Sequence, residues 1–217
     1  MDILNFISWL KIGKYSLTMP TGAVTVVGVP NTNRGDSFLP VTVPVTAFGG
    51  LNIGKLMGGG IVVSEWDENG VKKALVASLT DLGPAVQWTE GAYQGTAVPA
   101  QSPLNGFTNT NAIIAQTGVP AANTYAAGIA RLHSGGGFTD WYLPAAWEIN
   151  MCYNAATVVN RVLGATGFTT ALGTTYWSST EASGGSTVTL QNFTNGAQTN
   201  ASKGALSLVR AVRIHTL

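Results

Sequence analysis

The chain has 217 residues, of which 45% are apolar and only 10% charged, with a formal net charge of +1. That length can bury a sizeable core as one domain with an appendage. The sparse charge excludes the clustered Lys and Arg footprint that nucleic acid or an acidic membrane surface requires.

Cys152 is the single cysteine, so an internal disulfide framework and a cysteine-rich zinc site are both excluded. It is expected to behave as a small buried hydrophobe on a helix. No apolar run reaches the roughly 18 residues of a membrane-spanning helix. The N-terminal run Ile3-Leu4-Asn5-Phe6-Ile7-Ser8-Trp9-Leu10 follows Asp2 and precedes Lys11 and Lys14. A secretory signal has the opposite charge order, so an unprocessed chain without an export signal is expected.

Residues 1 to about 50 differ from the rest. Val24 to Val29 is predicted to be a strand, and Leu39 to Val45 an extended segment. Pro40 and Pro44 confine that segment to a sheet edge or to an arm lying on a partner. Between them Asn31 to Asp36 has turn chemistry, and its Arg34-Gly35-Asp36 tripeptide is assigned to that turn rather than to integrin-type recognition. The segment is too thin to make a core alone, so residues 1–50 are predicted to be an assembly arm and residues 51–217 a separate domain, with Gly49-Gly50 at the junction.

Met57 to Ser78 reads as a β-hairpin turned at Asp67-Glu68-Asn69-Gly70. Glu65, Asp67 and Glu68 lack the spacing of a calcium loop and are assigned to a solvated tip. Residues 79–108 are predicted to be a long ordered loop held by Trp88 and Tyr93. A helix begins near Asn109 and is interrupted at Gly118-Val119-Pro120. A second, from Ala121 to His133, carries Tyr125, Ile129 and Leu132 on one side and ends with His133 in a capping role.

The stretch Gly135 to Glu148 organises the rest. Three glycines make a permissive turn, Trp141-Tyr142-Leu143 is expected to be buried, and Pro144 is expected in the first turn of a helix, whose positive end suits Glu148. Trp147, Met151, Val158 and Val162 keep roughly helical spacing, with Gly164 as a natural stop. Beyond it come strands at Tyr176 to Glu181, Thr187 to Phe193 and Leu206 to Ile214, with turns at Ser183-Gly184-Gly185-Ser186 and at Asn195-Gly196. Period-two alternation places Arg210 among aliphatic residues, so it is expected to be buried against Asp140, Glu148 or Glu181.

Four segments in this order carry a family resemblance: Gly58-Gly59-Gly60-Ile61-Val62, Gly136 to Pro144 leading into a helix with Glu148, Tyr176 to Glu181, and Val209 to Arg213. Together they resemble the C-terminal domain of bacterial collagen-like adhesins, the Lcl C-terminal domain family, which is similar to C-type-lectin-like and formylglycine-generating-enzyme folds. The resemblance covers about residues 55–217. It implies an α+β, C-type-lectin-like domain of small twisted antiparallel sheets and two helices, with Asp140, Trp141, Glu148, Trp177, Glu181, Arg210 and Arg213 as scaffold. The paired cysteines of the oxidase and the calcium motifs of the lectins are absent, so no metal or cofactor is expected. Residues 1–50 resemble the N-termini of bacteriophage structural proteins.

These readings imply a non-enzymatic virion protein, a capsid decoration or tail-fibre component. It would form a homo-oligomer and contact other virion proteins through residues 1–50. The outward head would bind a host-surface glycan or protein, without nucleic acid or membrane insertion. The alternative is a secreted or surface adhesin of a bacterium. A nucleophile at Ser178, Ser179 or Thr180 beside Glu181 would need a paired base, and those hydroxyls are assigned instead to a strand end. Loops after Glu181 and Phe193 are the expected ligand face, with Ser183, Gly184, Gly185, Ser186, Asn195, Gln198, Asn200 and Lys203 as candidates.

Overall fold

A computed structural model describes residues 52–117, 124–167 and 172–217 in full, and residues 15–18, 23–28 and 41–44 as backbone. The apolar run Ile3 to Leu10, the Asn31 to Asp36 turn with its Arg34-Gly35-Asp36, and the Gly118-Val119-Pro120 interruption lie outside the described residues. Contacts divide the chain into two units, Met1–Leu51 and Asn52–Leu217.

In the first unit β1 (Tyr15–Thr18), β2 (Ala23–Gly28) and β3 (Val41–Pro44) form an antiparallel sheet in that order. Pro44 is the last paired residue of β3, opposite Ala23, and β3 is an edge of the sheet that the described strands form. That is where a residue without an N–H does least harm to a ladder.

The second unit is α+β. It comprises β4 (Leu56–Met57), β5 (Gly60–Glu68), β6 (Val71–Ala77), α1 (Gly106–Thr117), α2 (Ala126–Leu132), α3 (Ala146–Ala165), β7 (Thr175–Glu181), β8 (Thr187–Asn192), β9 (Gln198–Ser202) and β10 (Val212–Thr216). One antiparallel sheet runs β10-β6-β5-β4 and the other β7-β8-β9. The described residues thus hold three α-helices where the resemblance implies two.

The β5–β6 hairpin turns where its sequence directs. Asn69 and Gly70 both take positive φ, 54° and 82°, the pair a tight two-residue turn needs, and the Asp67 carboxylate accepts the Gly70 N–H at 2.8 Å. A one-residue offset between Val62 and Ser64 then matters for everything downstream. Ile61 pairs with Ala77 and Trp66 with Lys73, so the offset brings an odd-numbered and an even-numbered residue of β5 to the same sheet face.

Each face of this sheet meets a core. On one, Val62, Ala74 and Val76 pack with Trp88, Trp141 and Trp177. On the other, Ile61, Val63, Leu75 and Ala77 pack against Ile149, Cys152, Val159 and Leu163 of α3. The long loop between β6 and α1 is pinned by Trp88, whose indole N–H donates to the Ser178 carbonyl at 2.8 Å.

Helix α3 buries a different set from the spaced residues Trp147, Met151, Val158 and Val162. Its buried stripe is Ile149, Cys152, Ala155, Val159 and Leu163, whereas Trp147 and Val158 are exposed. The segment carries two apolar stripes of helical spacing. The one containing Cys152 and Ala155 faces the sheet, because small side chains let the helix axis approach closely. Pro144 precedes the helix, which starts at Ala146, and Cys152 is buried with its thiol pushed up to about 12 by desolvation.

The last strand is also corrected. Its regular part is Val212–Thr216, and residues 207–211 instead make single bridges and hydrogen bonds to several neighbours. Arg210 is buried, as expected of an arginine among aliphatics, but its carboxylate is Asp81 at 2.7 Å, not Asp140, Glu148 or Glu181. Asp140 takes Arg213 through a two-pronged contact of 2.6 and 2.9 Å. Glu181 takes Lys203, and Glu148 takes a set of N–H and O–H donors.

Candidate functional site

The glycine turns define how closely the chain packs around the segment from Gly135 to Glu148. A Cβ on Gly59 would collide with the Gly135 carbonyl, and one on Gly136 with the Gly59 Cα. The two glycine-rich turns therefore touch backbone to backbone. Arg213 clamps them: beyond Asp140 it donates to the Gly58 carbonyl at 3.1 Å and stacks 3.8 Å over the Phe138 ring. This hydrogen-bonded ion pair holds the Asp140 carboxyl below the usual carboxylate range. His133 closes the turn, edge-on to Trp141 at 4.7 Å between ring centroids, and burial lowers its basicity.

Beyond the turn, backbone and side chains fix one another. Tyr142 exchanges N–H to carbonyl bonds with Val212, both 2.9 Å. The Thr110 hydroxyl accepts the Leu143 N–H at 3.1 Å and donates to its carbonyl at 3.3 Å. The Thr180 hydroxyl accepts the Ala146 N–H and donates to the Ser102 carbonyl, both at 2.9 Å. At the centre sits Glu148, whose carboxylate accepts the Ala145 N–H at 2.7 Å, the Gly106 N–H at 3.1 Å and the Tyr142 hydroxyl at 2.8 Å. It joins the N-termini of α1 and α3, where partial positive charge favours it. Burial nevertheless holds its carboxyl above the ordinary range, and a Cβ on Gly106 would strike its Oε2.

On this platform lies a cleft of about 340 Å³. Tyr142 and Glu148 line it together with Trp66, Leu75 and Ile214 of the sheet, Leu104, Asn105 and Phe107 before and in α1, and Trp147 and Met151 of α3. The β5 offset is what turns Trp66 to this side, since Leu75 and Ile214 are paired residues of the same face. Phe107 stands edge-on to Tyr142 at 5.8 Å. Trp147 is 55% exposed and Phe107 43%, the least covered of the aromatic side chains whose burial is described.

The sequence-predicted ligand loops fall elsewhere. Ser183, Gly184 and Ser186 are exposed before β8, and Asn195 is exposed after it. The two loops sit at opposite ends of a six-residue strand, about 17 Å apart at the usual rise, so they do not make one site. Gln198 and Asn200 are not loop residues but lie on β9, a strand the sequence reading missed, and Gln198 donates to the Ala146 carbonyl at 2.7 Å. Gly185 is buried with Ala97 against it.

Lys203 is a clear correction. It is wholly buried, ion-paired to Glu181, donating to the Thr96 carbonyl at 2.7 Å and lying 5.0 Å over the Trp88 ring. Of the hydroxyls beside Glu181, Ser178 donates to the Thr189 carbonyl at 2.7 Å and Ser179 accepts from Asn109 at 3.3 Å. Among the described residues no group of three or more His, Cys, Asp or Glu side chains converges as metal ligands would. Trp141, Trp177, Arg210 and Arg213 are buried.

The cleft was missed because Trp147 and Met151 register in the sequence only as apolar residues at helical spacing. Trp147 and Met151 are four apart on a helix, and so are true core residues. The sign that separates them is the parallel stripe through Ile149, Cys152 and Ala155, which leaves Trp147 without a place inside. No family model matches this sequence, and no curated protein matches it.

Proposed function

We propose that this protein is a non-enzymatic structural protein of a bacteriophage particle, in which the first unit docks the chain and the second is a C-type-lectin-like head that binds a host-surface glycan or protein through the cleft. The observation that carries the binding reading is the pair of half-exposed aromatics, Trp147 and Phe107, over a floor fixed by buried hydrogen bonds. Apolar surface left open on a rigid, concave support is the usual form of a binding site. The docking reading is supported by the separate first unit of 51 residues, too few to bury a large core unaided, and by its resemblance to phage N-termini.

Light scattering on the full chain and on residues 52–217 tests the assembly half. The proposal expects an oligomer that falls to a monomer on truncation, and a truncated head that no longer enters particles. A full chain that stays monomeric, with a head that still binds bacterial surfaces, would replace the virion reading with that of a bacterial adhesin.

A further inference from the structure

We propose that the cleft recognises an organic cation, a quaternary or protonated alkylammonium group borne by the host-surface ligand. This rests on the cleft being the head's ligand site. Trp66, Phe107, Tyr142 and Trp147 all line the cleft. Among the described residues, the charged ones lining it are Glu68 and Glu148, both acidic. Ring faces carry negative potential, so rings and carboxylates together favour a desolvated positive group.

Competing ligand chemistries fit less well. An anionic ligand would meet two acidic side chains and no lining cation. A neutral sugar would stack on the rings and donate hydroxyls to Glu68, but it would draw nothing from the negative charge of the lining. Lys73 is half-buried, faces Glu68 at 4.0 Å and Thr216 at 3.3 Å and does not line the cleft, and a long ion pair to an exposed carboxylate is weak. Arg131 lies 5.0 Å from the Phe107 ring and does not line the cleft. The same fold already seats cations on rings, Arg213 on Phe138 at 3.8 Å and Lys203 on Trp88 at 5.0 Å. Glu148 stays in place because its oxygens already hold three donors, and Glu68 brings its carboxylate to the rim.

The test is a titration of the full-length ¹⁵N-labelled protein, following the indole N–H signals of Trp66 and Trp147. Choline is compared with its neutral isostere 3,3-dimethylbutan-1-ol, which has the same shape without the charge. The expected result is saturable shifts with choline, about tenfold weaker binding of the isostere, and several-fold weaker choline binding in Glu68→Gln. Equal binding of both compounds, or no response to choline at about 100 mM, would overturn the proposal. Adhesion of wild type and Trp147→Ala to bacterial surfaces separates the two claims. If choline fails while Trp147→Ala abolishes adhesion, the cation is wrong and the cleft stands. If Trp147→Ala adheres like wild type, the cleft itself is wrong and the cation proposal falls with it.

Discussion

Replacing Glu148 should damage this fold more than replacing any exposed acid. In Glu148→Ala three donors lose their acceptor together: the Ala145 N–H, the Gly106 N–H and the Tyr142 hydroxyl, all on buried residues. Each stranded buried donor costs about 1–3 kcal/mol. The Tyr142 hydroxyl can turn toward the cleft, so the two backbone groups dominate and the expected loss is about 4 kcal/mol. For a domain of ordinary stability, about 5–15 kcal/mol, that is a large fraction.

Glu148→Gln is the informative control. Its amide oxygen can accept both backbone N–H groups while its NH₂ donates to Tyr142, so the expected loss is only about 1 kcal/mol. The pH dependence follows from the raised carboxyl. Burial makes the folded chain bind this proton more tightly than the unfolded chain. The stability so contributed is full below the ordinary carboxylate range and is lost as pH rises through the folded value. Glutamine does not titrate, so the gap between wild type and Glu148→Gln narrows as pH rises. Urea denaturation across the acid range measures both effects. Glu148→Ala within about 1 kcal/mol of wild type, or a gap that widens with pH, would refute the reasoning.

Other consequences follow from the same contacts. Lys203→Met leaves the Glu181 carboxylate buried without its cation and should cost about 3–5 kcal/mol. Adding Glu181→Gln should restore part of that, and strict additivity in the double-mutant cycle would count against a coupled pair. Gly59→Ala combines a positive φ of 82° with a collision against the Gly135 carbonyl, so a loss of about 3 kcal/mol in thermal or chemical denaturation is expected. An unchanged midpoint would mean that the two turns do not touch. Asp140, held low by Arg213, contributes stability that is present above the ordinary carboxylate range and lost as pH falls through its folded value. Asp140→Asn should flatten that acid limb, and an unaltered limb would place the ion pair elsewhere.

Much of the fold was legible because its signals are local. Asn69-Gly70 specifies a turn by backbone sterics alone, and Trp141-Tyr142-Leu143 is buried as its composition demands. The glycine turns were visible as punctuation, though not that they pack on one another. What failed depends on contacts distant in sequence. Arg210 meets a carboxylate 129 positions away, at Asp81, and nothing local ranks ten acids as partners. Lys203 looks like a solvated turn residue until Glu181 and Trp88 are brought beside it. The separation of the two predicted ligand loops follows from strand geometry once β8 is recognised, since successive turns of a meander fall at opposite ends of the middle strand. The cleft needs one sheet, two helices and the β5 offset, so Trp147 by itself could not announce it.

The most direct measurement is the adhesion of the full chain to a panel of bacterial envelopes and their purified glycans, comparing wild type with Trp147→Ala. Trp147 is 55% exposed, so its removal should lower stability by only about 1 kcal/mol and leave a folded protein for a fair comparison. The account predicts that at least one envelope binds wild type and that Trp147→Ala binds it at least about tenfold more weakly, a difference of about 1.4 kcal/mol. Equal binding by the two proteins would contradict it, and would place the contact surface outside the cleft.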